Sequence, residues 1–221
     1  MLDSLLMLQQ MSDSALPIGG YSHSWGLETW VQDGQLNDAE EVYQALSMLF
    51  ELKIAPIEGS ACALAHKAAI EMDNSLFCQL NEYLSAIKWT SESLAASTSM
   101  GRRLMQLALD AKWIGAPPPG EQIHHCSAFG WICGSSGLGN SQSVAAYLLA
   151  SMGSLVSACV RLVPLGHTDG QRILTRLRSD IAKKTAICLD ASINDIGGGF
   201  APLHESACVR HENLYSRLFQ S

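Results

Sequence analysis

Charged residues and aromatic residues are both scarce in this chain of 221 residues, at 16% and 7% of the sequence. Soluble domains usually carry about 25% charged residues, so much of each predicted helix must be covered by other protein. Hydrophobic residues make up 48% of the chain, which excludes the hydrophobe-poor composition of a disordered protein. A chain of this length can bury a core without metal or disulfide staples. We therefore expect one well-buried domain spanning residues 1–221.

An excess of basic charge is also missing, since the net charge is −7. Nucleic-acid-binding proteins usually present a basic face that displaces counterions from phosphates. The basic residues after position 160 are interrupted by aspartates and glutamates, a pattern typical of solvated helix faces. We therefore expect a protein partner rather than a nucleic acid.

Paired cysteine spacings and targeting signals are absent as well. The seven cysteines are an odd number without a paired spacing, which argues against a secreted disulfide framework. The first residues lack the basic start and long apolar stretch of a signal peptide. The uncharged stretch 141–160 contains Gln142, Gly153 and several serines, so a buried central helix is favoured over a membrane span. These features predict a cytoplasmic protein that does not bind membranes.

Helical patterns dominate, and no segment alternates with period two over the length of a strand. Asn37, with Glu40 three residues later, predicts a helix start, and Val42 and Leu46 follow on one helix face. Pro56 is expected to interrupt this helix. Further helices are predicted over residues 57–72, 73–89, 90–112, 121–134, 141–163 and 168–192. The sequence therefore predicts an all-α, single-domain bundle of eight to ten helices.

Three segments do not fit simple helix packing, namely the loop 15–26, the joint 164–171 and the tail 194–221. In the joint, Thr168 and Gln171 form a capping box that would open the last long helix, while His167 is expected to face outward. In the tail, the run Gly197 to Gly199 predicts a hinge. We expect the tail to be flexible and to become ordered on binding a partner.

Two short motifs superficially resemble catalytic loops. Residues 134–139 (GSSGLG) lack the lysine and the preceding strand of a phosphate-binding loop. Residues 20–24 (GYSHS) approach the nucleophile elbow of serine hydrolases, but no strand is predicted beneath them. We therefore expect neither nucleotide binding nor enzymatic activity.

Histidines and cysteines come close together at two places that could offer metal ligands. His204, Cys208 and His211 share one face if their segment is helical, and imidazole and thiolate suit nickel or zinc. The other group consists of His124, His125, Cys126 and Cys133. Tight C-x-x-C or H-x-x-x-H pairs are missing, and buried cysteines commonly act as small hydrophobic residues. Packing is favoured at both places, and direct nickel binding through His204, Cys208 and His211 is kept as the alternative.

Three motifs occupy the irregular segments: residues 13–28 (DSALPIGGYSHSWGLE), 164–171 (PLGHTDGQ) and 210–221 (RHENLYSRLFQS). In this order they resemble the N-terminal signature, the P-L-G-Q-T-x-G-Q joint and the carboxyl-terminal H-E-x-x-Y-S-R-L-F-R-S of the urease accessory protein family UreF. His167 and Gln220 stand where the family commonly has glutamine and arginine. The resemblance covers essentially the whole chain.

The resemblance implies a non-enzymatic, dimeric, all-α chaperone without a cofactor of its own. Such proteins bridge the accessory protein UreD (also called UreH) and the nickel-carrying GTPase UreG, and the assembly delivers nickel to apo-urease. The motif residues implied to bind partners are Pro17, Gly19, Gly20, Tyr21, Ser22, Gly26, Glu28, Pro164, Gly166, Gln171, Arg210, His211, Glu212, Tyr215, Ser216, Arg217, Leu218 and Phe219.

The two ends of the chain are expected to meet. The loop 16–24 has no regular helix to satisfy its backbone, and the tail brings Tyr215 and Arg217, which need partners if they are ordered. We therefore predict that loop and tail pack into one partner-binding surface, with Tyr21 stacked on or bonded to Arg217. The alternative is that each end packs separately on the helical core.

Overall fold

The computed structural model describes residues 2–220, and over that range the regular structure is helical, without a β-strand. The helices are α1 (Leu2–Met11), α2 (Leu27–Gln32), α3 (Ala39–Leu49), α4 (Ser60–Glu71), α5 (Asn74–Ile87), α6 (Ser91–Asp110), α7 (His125–Ser135), α8 (Asn140–Leu162), α9 (His167–Asp190) and α10 (Pro202–His211). The predicted all-α class is confirmed.

Helix α3 begins one residue later than the sequence pattern predicted. Asp38, not Asn37, is the N-cap, and its carboxylate accepts hydrogen bonds of 2.9 Å from the backbone N–H groups of Glu40 and Glu41. The carboxylate of Glu41 in turn accepts a bond of 2.8 Å from the N–H of Asn37. These reciprocal bonds satisfy donors that the first helical turn leaves free.

The predicted interruption at Pro56 is wrong, because the chain stays helical from α3 to α4. The connecting segment Phe50–Gly59 is a π-helix that contains Pro56. A π-helical turn is wider than an α-helical turn, and so the proline ring is accommodated without ending the helix. Proline has no N–H to donate to the carbonyl four residues earlier. That carbonyl belongs to Leu52, and Gly199 packs closely against it.

Helices α5 and α6 begin where the sequence predicts, whereas α7 begins later. Asp73 and Thr90 cap α5 and α6 with hydrogen bonds to the N–H groups of Leu76 and Ser93, at 2.9 and 3.1 Å. Helix α7 begins at His125 instead of residue 121, because the amide oxygen of Asn81 on α5 binds the N–H of His124 at 2.9 Å. This contact between distant segments fixes where α7 starts.

The centre of the core is formed by α4, α7 and α8. A Cβ at Gly130 of α7 would lie 2.1 Å from the carbonyl oxygen of Cys62 on α4, so only glycine allows this close crossing. Helix α8 is long and apolar enough to cross a membrane by length and composition alone. Half of its most apolar stretch is buried inside the protein, and Tyr147 and Leu148 are buried there. It is therefore a core helix of this fold, as predicted for residues 141–160.

The predicted capping box in the joint is wrong. Gly166 is the N-cap of α9 and the helix begins at His167, so Thr168 already lies inside the first turn. The carbonyl of Gly166 accepts the N–H of Gly170 at 3.2 Å. His167 is exposed, as expected.

Candidate partner-binding site

The two ends of the described chain lie against each other. The N–H of Gln220 donates a hydrogen bond of 2.8 Å to the carbonyl of Ser22, and the hydroxyl of Ser22 lies 3.4 Å from the amide oxygen of Gln220. We call the surface formed by residues 19–24 and 212–220 the loop–terminus face. The predicted packing of loop against tail is confirmed.

Glycine is required at two positions of the loop. Gly19 and Gly26 have φ values of +87° and +77°, which L side chains rarely adopt. A Cβ at Gly19 would lie 2.3 Å from Nη1 of Arg103, and one at Gly26 would lie 2.9 Å from Sγ of Cys208. The glycines therefore let the loop pass between α6 and α10.

Glu28 at the start of α2 fastens the terminus. It is 2% exposed, and its carboxylate accepts hydrogen bonds from the backbone N–H groups of Leu218 at 2.7 Å and Phe219 at 3.2 Å. The ring of Phe219 is buried as a consequence. A buried carboxylate is costly unless it is paired and hydrogen-bonded, so these contacts define a receptor for the terminus.

His211 at the end of α10 lies against the carboxylate of Glu28. Its Nε2 lies 3.1 Å from Oε2 of Glu28, and its Nδ1 lies 2.9 Å from Oε2 of Glu92 on α6. The other oxygen of Glu92 accepts a bond of 2.9 Å from Arg217. Helices α2, α6 and α10 are thus joined to the terminus by one ion-pair network.

The predicted contact of Tyr21 with Arg217 is wrong, since Arg161 occupies that position. The guanidinium carbon of Arg161, in the last turn of α8, lies 3.7 Å from the centre of the Tyr21 ring and 4.3 Å from the centre of the Phe219 ring. Its Nη2 also donates a bond of 2.9 Å to the carbonyl of Tyr21. Arg217 is drawn instead to the carboxylate of Glu92.

Gly197 and Gly199, before α10, pack closely against their neighbours. A Cβ at Gly197 would lie 2.2 Å from the hydroxyl of Tyr83, and one at Gly199 would lie 2.8 Å from both the Leu52 carbonyl and the Ile57 side chain. In the structure, α10 buries Ala207, Cys208 and His211 against the domain. Ordering of the tail on partner binding stays a prediction, and its last residue, 221, lies outside the described residues.

His204, Cys208 and His211 do not form a common ligand set. Nε2 of His204 lies 2.6 Å from the carbonyl of Trp25 and 3.6 Å from Sγ of Cys208, whereas His211 is turned toward the two glutamates. Burial and the nearby Lys53 ammonium lower the pKa of His204 to about 3, and burial raises the pKa of the Cys208 thiol to about 11. A protonated thiol is a poor metal ligand. Among residues 2–220, no group of three or more His, Cys, Asp or Glu side chains could hold a metal ion.

The second group of histidines and cysteines serves packing. His124 lies between the hydroxyls of Ser97 and Ser85, at 2.9 and 3.0 Å, and burial lowers its pKa to about 4. His125 packs on the ring of Tyr147. Burial raises the pKa of the Cys133 thiol to about 12, so it remains protonated.

Exposure divides the motif residues into an inner and an outer set. Glu28, His211 and Phe219 are buried and hold the face together, whereas Tyr21 and Leu218 are 64% and 77% exposed. The remaining exposed members include Pro17, Arg210, Glu212, Tyr215, Ser216 and Arg217. The outer set is what a partner could contact.

The joint 164–171 follows α8, whose Arg161 contacts the loop–terminus face. Pro164, Gly166 and Gln171 are exposed, and Arg161 directly precedes the joint on α8. Within residues 2–220, no hydrogen bond connects these three residues to the terminus. Sequence reasoning missed Arg161, although a signal existed, because it is the first charged residue after the long uncharged stretch of α8.

Comparisons with known proteins find the same family that the three motifs resemble. The family model described as UreF matches residues 36–178. A protein named urease accessory protein UreF from Bacillus sp. (strain TB-90) is 32% identical over the full length of both chains. Proteins of the same name from Geobacillus kaustophilus and Nostoc sp. are each 31% identical over 98% of this chain and 98% and 95% of their own lengths.

Proposed function

Because this chain belongs to the UreF family, we propose that it is a non-catalytic accessory protein of urease maturation. In this proposal it acts as a scaffold in the cytoplasm and forms a homodimer. It bridges UreD (UreH) and the GTPase UreG while nickel is delivered to apo-urease. Nickel is the cargo of the assembly and is not held by a resident site in this chain.

The observation that carries the proposal is the loop–terminus face. Its backbone is fixed by hydrogen bonds to Glu28 and Ser22, and yet it presents the side chains of Tyr21, Tyr215 and Leu218 to solvent. Exposed apolar side chains gathered on one ordered surface are typical of protein-binding sites, and tyrosine is frequent among residues that dominate binding energy. We therefore assign the outer set of this face to partner binding.

The test is binding of purified UreD and UreG from the same organism to a Tyr21→Ala/Tyr215→Ala/Leu218→Ala variant. We expect its affinity for UreD or UreG to fall by at least about tenfold, because such anchors commonly contribute more than 1 kcal/mol each. The melting temperature should stay close to that of the wild type, since none of the three side chains is buried.

A matched control is Ile187→Ala, which removes an equally exposed apolar side chain, 62% exposed, from α9. It should bind both partners like the wild type and support urease activation equally. If the triple variant binds like the wild type, the assignment of this surface to partner binding is wrong. Failure of the wild type to bind UreD and UreG would remove the scaffold function itself.

A further inference from the structure

Arg161 contacts both halves of the loop–terminus face at once. Its guanidinium lies between the ring of Tyr21 on the loop and the ring of Phe219 on the terminus, at 3.7 and 4.3 Å from the ring centres. Helix α8 belongs to the core. The Arg161 side chain therefore connects a core helix with both the loop and the terminus.

Within the described residues, Arg161 contacts rings and carbonyl groups. Nη2 donates to the carbonyl of Tyr21 at 2.9 Å, and Nε donates to the carbonyl of Ser157 one turn back on α8 at 3.2 Å. Among residues 2–220, no carboxylate pairs with it. Its partners are therefore the Tyr21 and Phe219 rings, the carbonyl of Tyr21 and the carbonyl of Ser157, so three belong to the loop–terminus face and one to α8 itself.

We propose that Arg161 is a positioning residue that couples the loop to the terminus, so that Tyr21 and Leu218 are presented to a partner as one surface. This inference rests on the proposed function of that face. Phe219 is buried beside Arg161 while its neighbour Leu218 is exposed, so fixing the Phe219 ring fixes the direction of Leu218. The Tyr21 ring centre lies 3.7 Å from the same guanidinium carbon, so one side chain contacts both rings.

Arginine is suited to this role and lysine is not. A guanidinium is planar, stacks on aromatic rings with both faces and keeps donors at its edge for a carbonyl, whereas an ammonium is a compact point charge. Arg161→Lys therefore keeps the charge and most of the length but loses the double stacking. This variant separates positioning from charge.

The first measurement is hydrogen exchange of the full chain without a partner. In Arg161→Lys we expect the amides of residues 19–23 and 217–220 to exchange faster together, by about tenfold, because local opening reports the loss of local contacts. The amides of α4 and α7 should not change. Arg172→Lys, at an exposed arginine of α9, is the control and should change neither segment.

The second measurement is the coupling between Tyr21 and Leu218 in binding to UreD. In the wild type the losses from Tyr21→Ala and Leu218→Ala should be non-additive, and in Arg161→Lys they should become additive. A residue that supports only global stability would lower the melting temperature without changing this coupling.

Phe219→Leu offers a second approach from the other ring. It should speed exchange in the loop 19–23, although residue 219 lies in the terminus. If either variant loosens only one of the two segments, or if coupling persists in Arg161→Lys, the positioning role is rejected. If the wild type does not bind UreD but the exchange result holds, the proposed function fails while the coupling by Arg161 stands.

Discussion

At the scale of single residues, Glu28 determines how the terminus is held. Its two oxygens accept hydrogen bonds from two backbone N–H groups, and one of them also lies against the His211 ring. An amide in the same place would offer one acceptor and one NH2 group, and the NH2 group would point at donors.

We expect Glu28→Gln to lower the free energy of unfolding by about 2–3 kcal/mol, since hydrogen bonds to charged groups are worth about 1.5–3 kcal/mol. Thermal and urea unfolding would measure it. The control is Glu71→Gln, at a carboxylate that is 52% exposed in a loose pair with Lys67, and it should change stability little. An unchanged stability in Glu28→Gln would show that the carboxylate does not fasten the terminus.

A second charged residue lies deeper, where Glu58 of the π-helix is paired with Lys88 at 3.3 Å and accepts the Tyr147 hydroxyl at 2.6 Å. Burial alone would raise the pKa of Glu58, but the Lys88 ammonium and the hydroxyl together hold it below its usual value. A lowered pKa in the folded state means that the ionised carboxylate stabilises the fold above the unfolded pKa of about 4.3. This stabilisation is lost as the pH falls through the folded value.

Lys88→Met should therefore cost about 3–5 kcal/mol at pH 7, because it leaves a buried carboxylate unpaired. The cost relative to wild type should shrink at pH 5, where the unpaired Glu58 becomes protonated. Urea unfolding at both pH values measures this, and Lys67→Met, at an exposed lysine, is the control. A cost that is equal at the two pH values would contradict the assigned role of Glu58.

At the scale of helices, the caps show what could be read from the sequence. Asp73 and Thr90 act on donors within three residues, so both caps depend on local sequence, and Asp73 could be recognised from it. The start of α7 depends on Asn81, which is 43 positions away from His124, and the π-helix at Pro56 depends on packing. The contact of Tyr21 with Arg161 joins residues 140 positions apart. The packing of loop against tail was predictable, because both segments lack a regular helix and need partners. No local pattern encodes a pairing across 140 positions, so the role of Arg161 could not be predicted.

Two cap variants test the corrected helix starts. Asp38→Ala should lower stability by about 1 kcal/mol through loss of the N-cap of α3. Thr168→Ala should cost a few tenths of that, since Thr168 lies within α9 and is exposed. Thermal unfolding of the two variants side by side is the measurement. A larger loss of stability in Thr168→Ala than in Asp38→Ala would show that Thr168 is a cap after all.

Two glycine variants test the close packing before α10. Gly199→Ala should cost about 1–3 kcal/mol, because its Cβ would meet the Leu52 carbonyl and the Ile57 side chain at 2.8 Å. Gly153→Ala on α8 has no atom within 4 Å of its new Cβ and should stabilise by about 0.5–1 kcal/mol. If Gly199→Ala were neutral, the segment would be mobile enough to serve as the predicted hinge.

At the scale of the whole molecule, a truncation that removes the terminus without damaging the core has to cut the chain after α10. Removing residues from 204 onward would expose the surface that Ala207, Cys208 and His211 cover. Truncation after His211 keeps α10 and removes only the segment held by Glu28, Glu92 and Ser22.

We expect the chain truncated after His211 to keep its helical circular dichroism and to lose UreD binding. The full-length chain with Ile187→Ala serves as the folded, binding-competent reference. A truncated chain that still binds UreD would place the binding surface elsewhere, and one that loses helical signal would make the terminus a part of the core.

The hydrogen bonds between Ser22 and Gln220 join residues 198 positions apart. Chains are synthesised from the N-terminus and domains begin to fold as they emerge, so the loop near residue 22 leaves the ribosome long before its counterpart exists. The helices can form from local contacts during synthesis, whereas the contact between Ser22 and Gln220 forms only after residue 220 has been synthesised. We therefore expect the complete loop–terminus face only on chains that have been translated through residue 220, and under the proposed function unfinished or cleaved chains should not bind UreD.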